Sequence, residues 1–150
     1  MIKKNALIGG EESGGFGFRD HIPERDGVLA SLYILDLIAR TKKSITQLLA
    51  DLYDLVGPHY YARKDMQISN EIKCLIVELI SSNPPKTIGG TMVVRFDTND
   101  GLKFSLADGS WLMIRLSGTE PLLRIYAESS NPGQVELLIN EGCRLIKITG

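Results

Sequence analysis

Residues 91–128 read TMVVRFDTNDGLKFSLADGSWLMIRLSGTEPLLRIYAE. Runs of aliphatic, β-branched and aromatic residues alternate in this stretch with turn sequences such as Asn99-Asp100-Gly101 and Asp108-Gly109, which are typical of hairpin connections. The pattern predicts consecutive strands at 91–97, 102–106, 111–116 and 122–128. A mainly antiparallel sheet is therefore expected at the centre of the fold.

The residues on either side extend this sheet. A further strand is predicted at 60–66, a helix with one apolar face at 70–80, and a second helix at 132–146, where Pro132 suits the first turn. The resulting order, β-α-β-β-β-β-α, predicts an α+β unit with a four- to five-stranded, mainly antiparallel sheet and helices packed on one face.

Gly57-Pro58 stops the preceding helical pattern and is the predicted domain boundary, so that the chain divides into 1–56 and 57–150. The first part has one short apolar run at 5–8, which predicts a buried strand, and helical patterns at 27–41 and 45–56. Two helices with apolar faces need a larger sheet to pack against than one strand provides. We therefore expect residues 1–56 to be a partial α/β domain whose other strands precede Met1.

Composition limits the possible partners. Seventeen basic and eighteen acidic residues give a net charge of -1, so no overall field attracts nucleic acid or an anionic membrane. The longest apolar stretches, such as 27–39, fall short of the roughly 20 residues that a membrane-spanning helix needs, and the first residues do not form a signal peptide. We expect a soluble cytoplasmic protein.

The turn between the last two predicted strands carries the strongest chemistry, in the run Arg115-Leu116-Ser117-Gly118-Thr119-Glu120-Pro121-Leu122-Leu123-Arg124. Gly118 lets successive backbone amides turn toward one point, and Ser117 and Thr119 add hydroxyl donors. Arg115 and Arg124 offer planar, bidentate contacts to oxygen anions. The run predicts a site for a phosphate dianion. From the residues alone, a plain hairpin with two solvated arginines is the alternative.

A glycine-rich loop, Gly10-Glu11-Glu12-Ser13-Gly14-Gly15, follows the first predicted strand. Its spacing forms neither a Walker A loop nor a dinucleotide-binding fingerprint, and neighbouring carboxylates repel a phosphate. Ionised carboxylates instead accept strong hydrogen bonds from vicinal hydroxyls. The loop suits a neutral polyol such as a sugar, although an ordinary surface loop is the alternative.

Both runs resemble motifs of the α-D-phosphohexomutase family, of the phosphoglucomutase/phosphomannomutase type. The run from Arg115 is similar to the signature R-x-S-G-T-E-P-x-x-R-x-Y-x-E of the C-terminal domain of that family, and the run from Gly10 is similar to the G-E-x-S-G loop of its third domain. The resemblance implies a third-domain remnant followed by a TBP-like C-terminal domain. It also implies that the substrate phosphate is bound by Arg115, Ser117, Gly118, Thr119 and Arg124.

The same resemblance implies sugar binding by Glu11 and Ser13. Arg25 lies in a stretch that also resembles the family, in which a basic residue near this position approaches the substrate. Many members have a histidine where this chain has Gly15, and in those it is thought to assist proton transfer. The general acid or base is therefore left open here.

Two further side chains are assigned structural roles. The charge of Glu120 repels an anion, so this residue is expected to pair with a nearby guanidinium group instead. His21 is expected to form a hydrogen bond within its own loop rather than to act in catalysis.

The resemblance also implies a reaction. A phosphoserine in the first domain phosphorylates a hexose phosphate, and the other phosphate of the bisphosphate intermediate returns to the serine. Mg²⁺ in the second domain assists, and a hexose bisphosphate is the activator. Neither a Ser-His-Asn-Pro loop nor an Asp-Gly-Asp-x-Asp loop occurs in the 150 residues. We therefore expect no catalytic residue and no metal ligand in this chain, and expect both in upstream domains of the same enzyme.

Two other function classes stay open at this point. One is a stand-alone phosphosugar or anion-binding module without catalysis, and the other is a purely structural or interaction domain. Among the hexoses, glucose is favoured over mannose, and glucosamine is not excluded. The sequence does not indicate an oligomeric state.

Overall fold

The computed structural model describes residues 5–11, 14–118 and 120–149. The chain forms two compact units, Met1–Leu52 and Tyr53–Gly150. The predicted boundary after residue 56 stays a prediction, and each unit is described by itself below.

The first unit begins with a small antiparallel hairpin in which strand β1 (Ile8–Gly10) pairs with strand β2 (Phe16–Phe18). The predicted buried strand at 5–8 was wrong, because the extended segment starts only at Ile8 and both Leu7 and Ile8 are largely exposed. Asn5 has a left-handed φ of 47°, which takes it out of extended conformation. The short apolar run carried too little information to fix the strand's position or burial.

Two helices follow the hairpin: α1 (Gly27–Thr41) and α2 (Ile45–Val56). Asp26 is the N-cap of α1, because its carboxylate accepts a hydrogen bond from the Leu29 amide at 2.9 Å. Ser44 and Gln47 form a reciprocal capping pair at the start of α2, with amide-to-side-chain distances of 2.8 and 3.3 Å. Neither helix has a buried residue.

The second unit is built on a six-stranded antiparallel sheet with the strand order β3-β8-β7-β6-β5-β4. The strands are β3 (Tyr60–Gln67), β4 (Thr87–Ile88), β5 (Thr91–Asp97), β6 (Leu102–Leu106), β7 (Trp111–Leu116) and β8 (Leu122–Ser129). The predicted α+β fold is confirmed. The sheet has one strand more than predicted, because the two-residue β4 forms an edge that is too short to produce a sequence pattern.

One face of this sheet is covered by helices α3 (Asn70–Ser82) and α4 (Pro132–Thr149). Side chains from both helices and from alternate strand positions form the core there, including Ile76, Ile80, Phe104, Leu112, Ile114, Leu123, Ile125 and Leu138. Helices on a single face were predicted from the sequence, and the structure confirms this arrangement. No helix within the described ranges is long and apolar enough to cross a membrane.

The opposite face of the sheet carries charged, aromatic and thioether side chains. Residues that are register partners on neighbouring strands share a face, and one row of partners runs across the sheet as Arg63, Tyr126, Met113, Lys103 and Asp97. The Tyr126 side chain is nevertheless almost fully buried. This face also carries the two arginines of the predicted phosphate loop.

Candidate functional site

Arg115 and Arg124 are direct register partners on strands β7 and β8. Their Cβ atoms are thus separated by about 5 Å, the spacing of opposed residues in an antiparallel ladder. Two guanidinium groups placed side by side repel each other unless an anion lies between or beside them. Nearby carboxylates provide this compensation in the structure, as the contacts of each arginine show.

Arg115 lies at the rim of a cavity of about 400 Å³. Its Nη2 atom is 3.2 Å from the Asp100 carboxylate, which belongs to the turn between β5 and β6. Gly118, in the turn between β7 and β8, lines the same cavity. The structure thus brings two of the predicted phosphate-binding residues to one opening.

Arg124 contacts two other carboxylates, those of Glu120 and Asp65. Its Nη2 atom donates a 2.9 Å hydrogen bond to Glu120, which confirms the predicted pairing of Glu120 with a guanidinium group. Its Nε atom is 4.0 Å from Asp65, the register partner of Arg124 on β3. This Nε atom is buried and forms no hydrogen bond to the described residues. Arg124 does not line the cavity that Arg115 and Gly118 share.

Much of the turn's hydrogen-bonding capacity is used internally. The Ser117 amide donates to the Leu122 carbonyl at 3.1 Å, and the Glu120 amide donates to the Ser117 hydroxyl at 3.2 Å. The Ser117 side chain is buried. The expected convergence of several free amides is therefore limited at these two positions, and phosphate binding by Ser117 stays a prediction. Thr119 lies outside the described residues.

Gly118 is exposed and has space around it. A methyl group added at this position would meet no heavy atom within 4 Å, and its φ is not in the left-handed region. Neither strain nor packing requires glycine here. The absence of a side chain keeps the mouth of the cavity open beside Arg115.

In the first unit, the predicted sugar-binding residues Glu11 and Arg25 are joined. The Arg25 Nη1 atom donates to the Glu11 carboxylate at 2.5 Å, and this hydrogen bond and charge raise the pKa of Arg25 above its ordinary value. Both residues line an open cavity of about 320 Å³ together with Gly15. Ser13 lies outside the described residues. Sugar binding by these three residues stays a prediction.

Gly15 allows the close approach of Arg25. A Cβ atom at Gly15 would lie 2.7 Å from Cδ of Arg25 and 3.4 Å from a carboxylate oxygen of Glu11. The first distance is shorter than van der Waals contact, so any side chain at residue 15 displaces the arginine. The space that a side chain at residue 15 would need is thus filled by the Arg25 side chain.

His21 has the structural role that the sequence predicted. Its Nε2 atom is 2.8 Å from the Asp26 carboxylate. The pKa of Asp26 is held below its ordinary value, first by the hydrogen bond from the Leu29 amide and second by the contact with His21. His21 therefore supports the N-cap of α1.

Sequence reasoning missed Asp65 and Asp100, the two carboxylates that approach the arginines from other parts of the sheet. Asp100 was interpreted only as a turn residue, and Asp65 lay within the predicted strand at 60–66 without an assigned role. The register between β3 and β8 brings Asp65 to Arg124, and the path of the turn between β5 and β6 brings Asp100 to Arg115. No local spacing rule indicates either contact.

No set of three or more His, Cys, Asp or Glu side chains in the described part of the chain is arranged to hold a metal ion. The described residues thus do not fit a magnesium site, and no reaction step through a metal is assigned to them.

Comparison with protein families gives two adjacent matches. Residues 1–56 match the family described as "Phosphoglucomutase/phosphomannomutase, alpha/beta/alpha domain III". Residues 69–143 match the family described as "Phosphoglucomutase/phosphomannomutase, C-terminal domain".

Individual relatives agree with these matches. The chain is 29% identical over 148 residues to a phosphoglucomutase/phosphomannomutase of Thermococcus kodakarensis and 31% identical over 152 residues to a phosphoglucosamine/phosphogalactosamine mutase of Sulfurisphaera tokodaii. Each alignment covers 98% of this chain but only 30% of the relative. A crystal structure of a phosphoglucomutase/phosphomannomutase family protein from Burkholderia thailandensis superposes with a TM-score of 0.71 at 18% identity, covering 99% of this chain and 29% of that one.

Proposed function

Because the chain belongs to the phosphoglucomutase/phosphomannomutase family, we propose that it is the sugar-phosphate recognition part of a phosphohexomutase. The full enzyme interconverts hexose 1-phosphates and hexose 6-phosphates through a bisphosphate intermediate. The second unit binds the phosphate that is not being transferred, and the first unit binds sugar hydroxyls.

The observation that carries this proposal is the register pairing of Arg115 with Arg124 beside the open Gly118 turn. A phosphate dianion neutralises both guanidinium groups at once, and each group can donate two parallel hydrogen bonds to its oxygens. The buried Nε atom of Arg124 has no hydrogen-bond partner among the described residues, so the carboxylate contacts of this arginine do not use its full donor capacity.

The sugar contacts are proposed for the hairpin of the first unit. The Glu11 carboxylate accepts hydrogen bonds from vicinal hydroxyls, and Ser13 adds a hydroxyl group of its own. Arg25 holds Glu11 in place through their short contact. None of these groups acts on the phosphorus atom, so their role is to orient the substrate.

The rest of the reaction is proposed for upstream domains of the same enzyme. There, a phosphoserine transfers the phosphoryl group, Mg²⁺ neutralises the developing charge, and a hexose bisphosphate activates the enzyme. The chain spans about 30% of the length of its relatives, and α1 and α2 expose large apolar side chains such as Leu32, Leu35 and Leu52. These helices suit a packing partner within the larger enzyme. We place the enzyme in the cytoplasm.

The binding test is a titration of the isotope-labelled chain with glucose 6-phosphate, followed by NMR of the arginine side chains and the Gly118 amide. We expect the Arg115, Arg124 and Gly118 signals to move together, and inorganic phosphate to move the same signals. Free glucose should leave them unchanged. If saturating hexose phosphate moves none of the three, the proposed phosphate site is wrong, and a structural or interaction domain becomes the better interpretation.

A second measurement separates an enzyme part from a stand-alone binding module. We expect the chain alone to show no isomerisation of glucose 1-phosphate in the presence of Mg²⁺ and the bisphosphate activator. The same residues in a family-length protein should be needed for turnover. Arg115→Gln in the long protein should raise KM for the hexose phosphate, and unchanged kinetics would contradict the proposal.

A further inference from the structure

A carboxylate from outside the predicted phosphate loop, that of Asp100, lies beside Arg115. Asp100 lies in the turn between β5 and β6, yet its Oδ1 atom is 3.2 Å from Nη2 of Arg115. Asp100 and Arg115 also line the same cavity as Gly118. A phosphate that binds Arg115 from this cavity therefore meets Asp100 as a competitor of like charge.

The turn is shaped so that Asp100 reaches this position. Gly101 has a φ of +118°, and a Cβ atom there would lie 2.8 Å from the Ile114 carbonyl oxygen and 3.2 Å from Cα of Arg115. Only glycine allows the turn to lie so close to β7. On the other side of Asp100, the Asn99 amide donates to the Asp97 carboxylate at 2.9 Å, which fixes the turn from within.

The charges around the two arginines balance without a ligand. Arg115 is paired with Asp100 and Arg124 with Glu120, and the further carboxylate near Arg124, that of Asp65, is itself paired with Arg63. A dianion that binds here must therefore replace carboxylate contacts rather than fill an uncompensated positive site. Which carboxylate leaves first depends on how firmly each is held.

Asp100 is the more easily displaced of the two. Its side chain is 71% exposed, and it is joined to Arg115 by one contact of 3.2 Å, whereas Glu120 makes a 2.9 Å hydrogen bond to Arg124. Exposed ion pairs of this kind are weak and exchange readily with solvent and salt. When Asp100 turns outward, it leaves the Arg115 guanidinium group facing the cavity.

We propose that Asp100 is an affinity-setting residue of the phosphate site, which neutralises and orients Arg115 in the absence of ligand and is displaced when a phosphoryl group binds. This inference rests on the proposed function of the Arg115 and Arg124 pair. Only molecules in which Asp100 has left Arg115 bind phosphate, so the apparent affinity equals the intrinsic affinity multiplied by the fraction of such molecules.

The test compares glucose 6-phosphate binding to three forms of the chain at low ionic strength: unchanged, Asp100→Asn and Glu136→Gln. The last is the control, because Glu136 is exposed on α4 and its loss changes the net charge equally. We expect Asp100→Asn to bind about two- to fivefold more tightly, the range that an exposed ion pair supports. Glu136→Gln should match the unchanged chain. The tightening should also disappear in an Arg115→Gln background and at high salt.

The possible failures are distinct. If the unchanged chain and Asp100→Asn bind equally, or if Asp100→Asn binds more weakly, then Asp100 is not a displaced competitor and this inference is overturned while the phosphate site stands. If Glu136→Gln tightens binding as much as Asp100→Asn, the effect is one of net charge and the inference also falls. If no form binds, the proposed function fails and the role of Asp100 fails with it.

Discussion

Arg115 and Arg124 face each other as register partners across strands β7 and β8, so two like charges occupy a position where opposite charges are usually favourable. We therefore expect this pair of arginines to contribute more to ligand binding than to the stability of the fold. We expect Arg124→Gln to weaken glucose 6-phosphate binding at least tenfold, as the loss of a charge-assisted bidentate contact does. The free energy of unfolding should change by only about 1 kcal/mol or less, because relief of the repulsion offsets the lost contact to Glu120.

Calorimetric titration and urea unfolding, followed by the fluorescence of the single tryptophan, Trp111, measure the two quantities separately. Arg144→Gln is the matched control, since this arginine pairs with Glu141 on α4. It removes the same charge and should leave binding intact. Equal loss of binding in both variants would show that net charge, rather than the paired site, attracts the ligand.

Gly118→Ala tests the open mouth of the cavity. A methyl group there meets no atom within 4 Å and the backbone is not left-handed, so the fold should be unaffected or more stable by up to about 1 kcal/mol, through a less flexible unfolded chain. Binding of glucose 6-phosphate should weaken because the methyl group occupies ligand space. Titration with glucose 6-phosphate measures the expected loss of affinity, and urea unfolding measures the expected equal or greater stability. Unchanged affinity would show that Gly118 is not part of the site.

Gly15→Ala should separate Arg25 from Glu11. The new methyl group would lie 2.7 Å from Cδ of Arg25, and a flexible side chain gives way before the backbone does. We expect the Arg25 side-chain NMR signals to move to positions typical of a solvated guanidinium group, while stability changes by about 0.5 kcal/mol or less. Gly27→Ala, where a methyl group meets nothing within 4 Å, is the control. Unchanged Arg25 signals in Gly15→Ala would contradict the packing described.

Asp97 should make the second unit sensitive to acid. The pKa of its carboxyl group is lowered, first by the hydrogen bond from the Asn99 amide and then by that from Arg95. The stabilisation it contributes is therefore fully present above the unfolded-state pKa of about 4, and is lost as pH falls through the lower folded-state pKa. Urea unfolding between neutral and acidic pH should show a decline that Asp97→Asn makes less steep. A decline of the same steepness in the variant would assign the acid sensitivity to other carboxylates.

Gly142→Ala tests the contact between α4 and the sheet. Alanine favours a helix more than glycine does, but a Cβ atom at this position would lie 2.7 Å from Cγ2 of Ile125 and 3.1 Å from Cδ1 of Leu112. Both neighbours are fully buried and cannot move aside. We expect the variant to be destabilised by about 1 to 3 kcal/mol in urea unfolding. A gain in stability would show that helix propensity outweighs the packing conflict.

Sequence patterns predicted the second unit well because its elements are regular and clearly separated. Strands β5, β6 and β7 have the predicted limits, since Gly, Asn and Asp residues lie in the turns that separate them. Helices α1 and α2 also have the predicted limits, and α2 ends just before Gly57. The strand β4 was missed because two residues carry no periodicity. The hairpin of β1 and β2 was missed because Gly9 and Gly10 pair through their backbones and leave no hydrophobic pattern.

The candidate site divides in the same way. The residues of the predicted phosphate loop form one contiguous run, so Arg115, Gly118 and Arg124 could be proposed as site residues from spacing and resemblance. Asp100 could not, because its contact with Arg115 depends on the path of a different turn over β7. Contacts made through sheet register are long-range properties of the fold, and a local motif does not contain them.

Buried aliphatic residues alternate with arginines along β7 and β8, and this alternation fixes the register of the two strands. Arg115 follows Ile114, and Arg124 lies between Leu123 and Ile125, which are all fully buried under the helices. A slip of either strand by one position would push a guanidinium group into the hydrocarbon interior and expose an aliphatic side chain instead. Misaligned pairings of β7 and β8 are therefore unstable during folding itself, and the native state has the two arginines opposite each other.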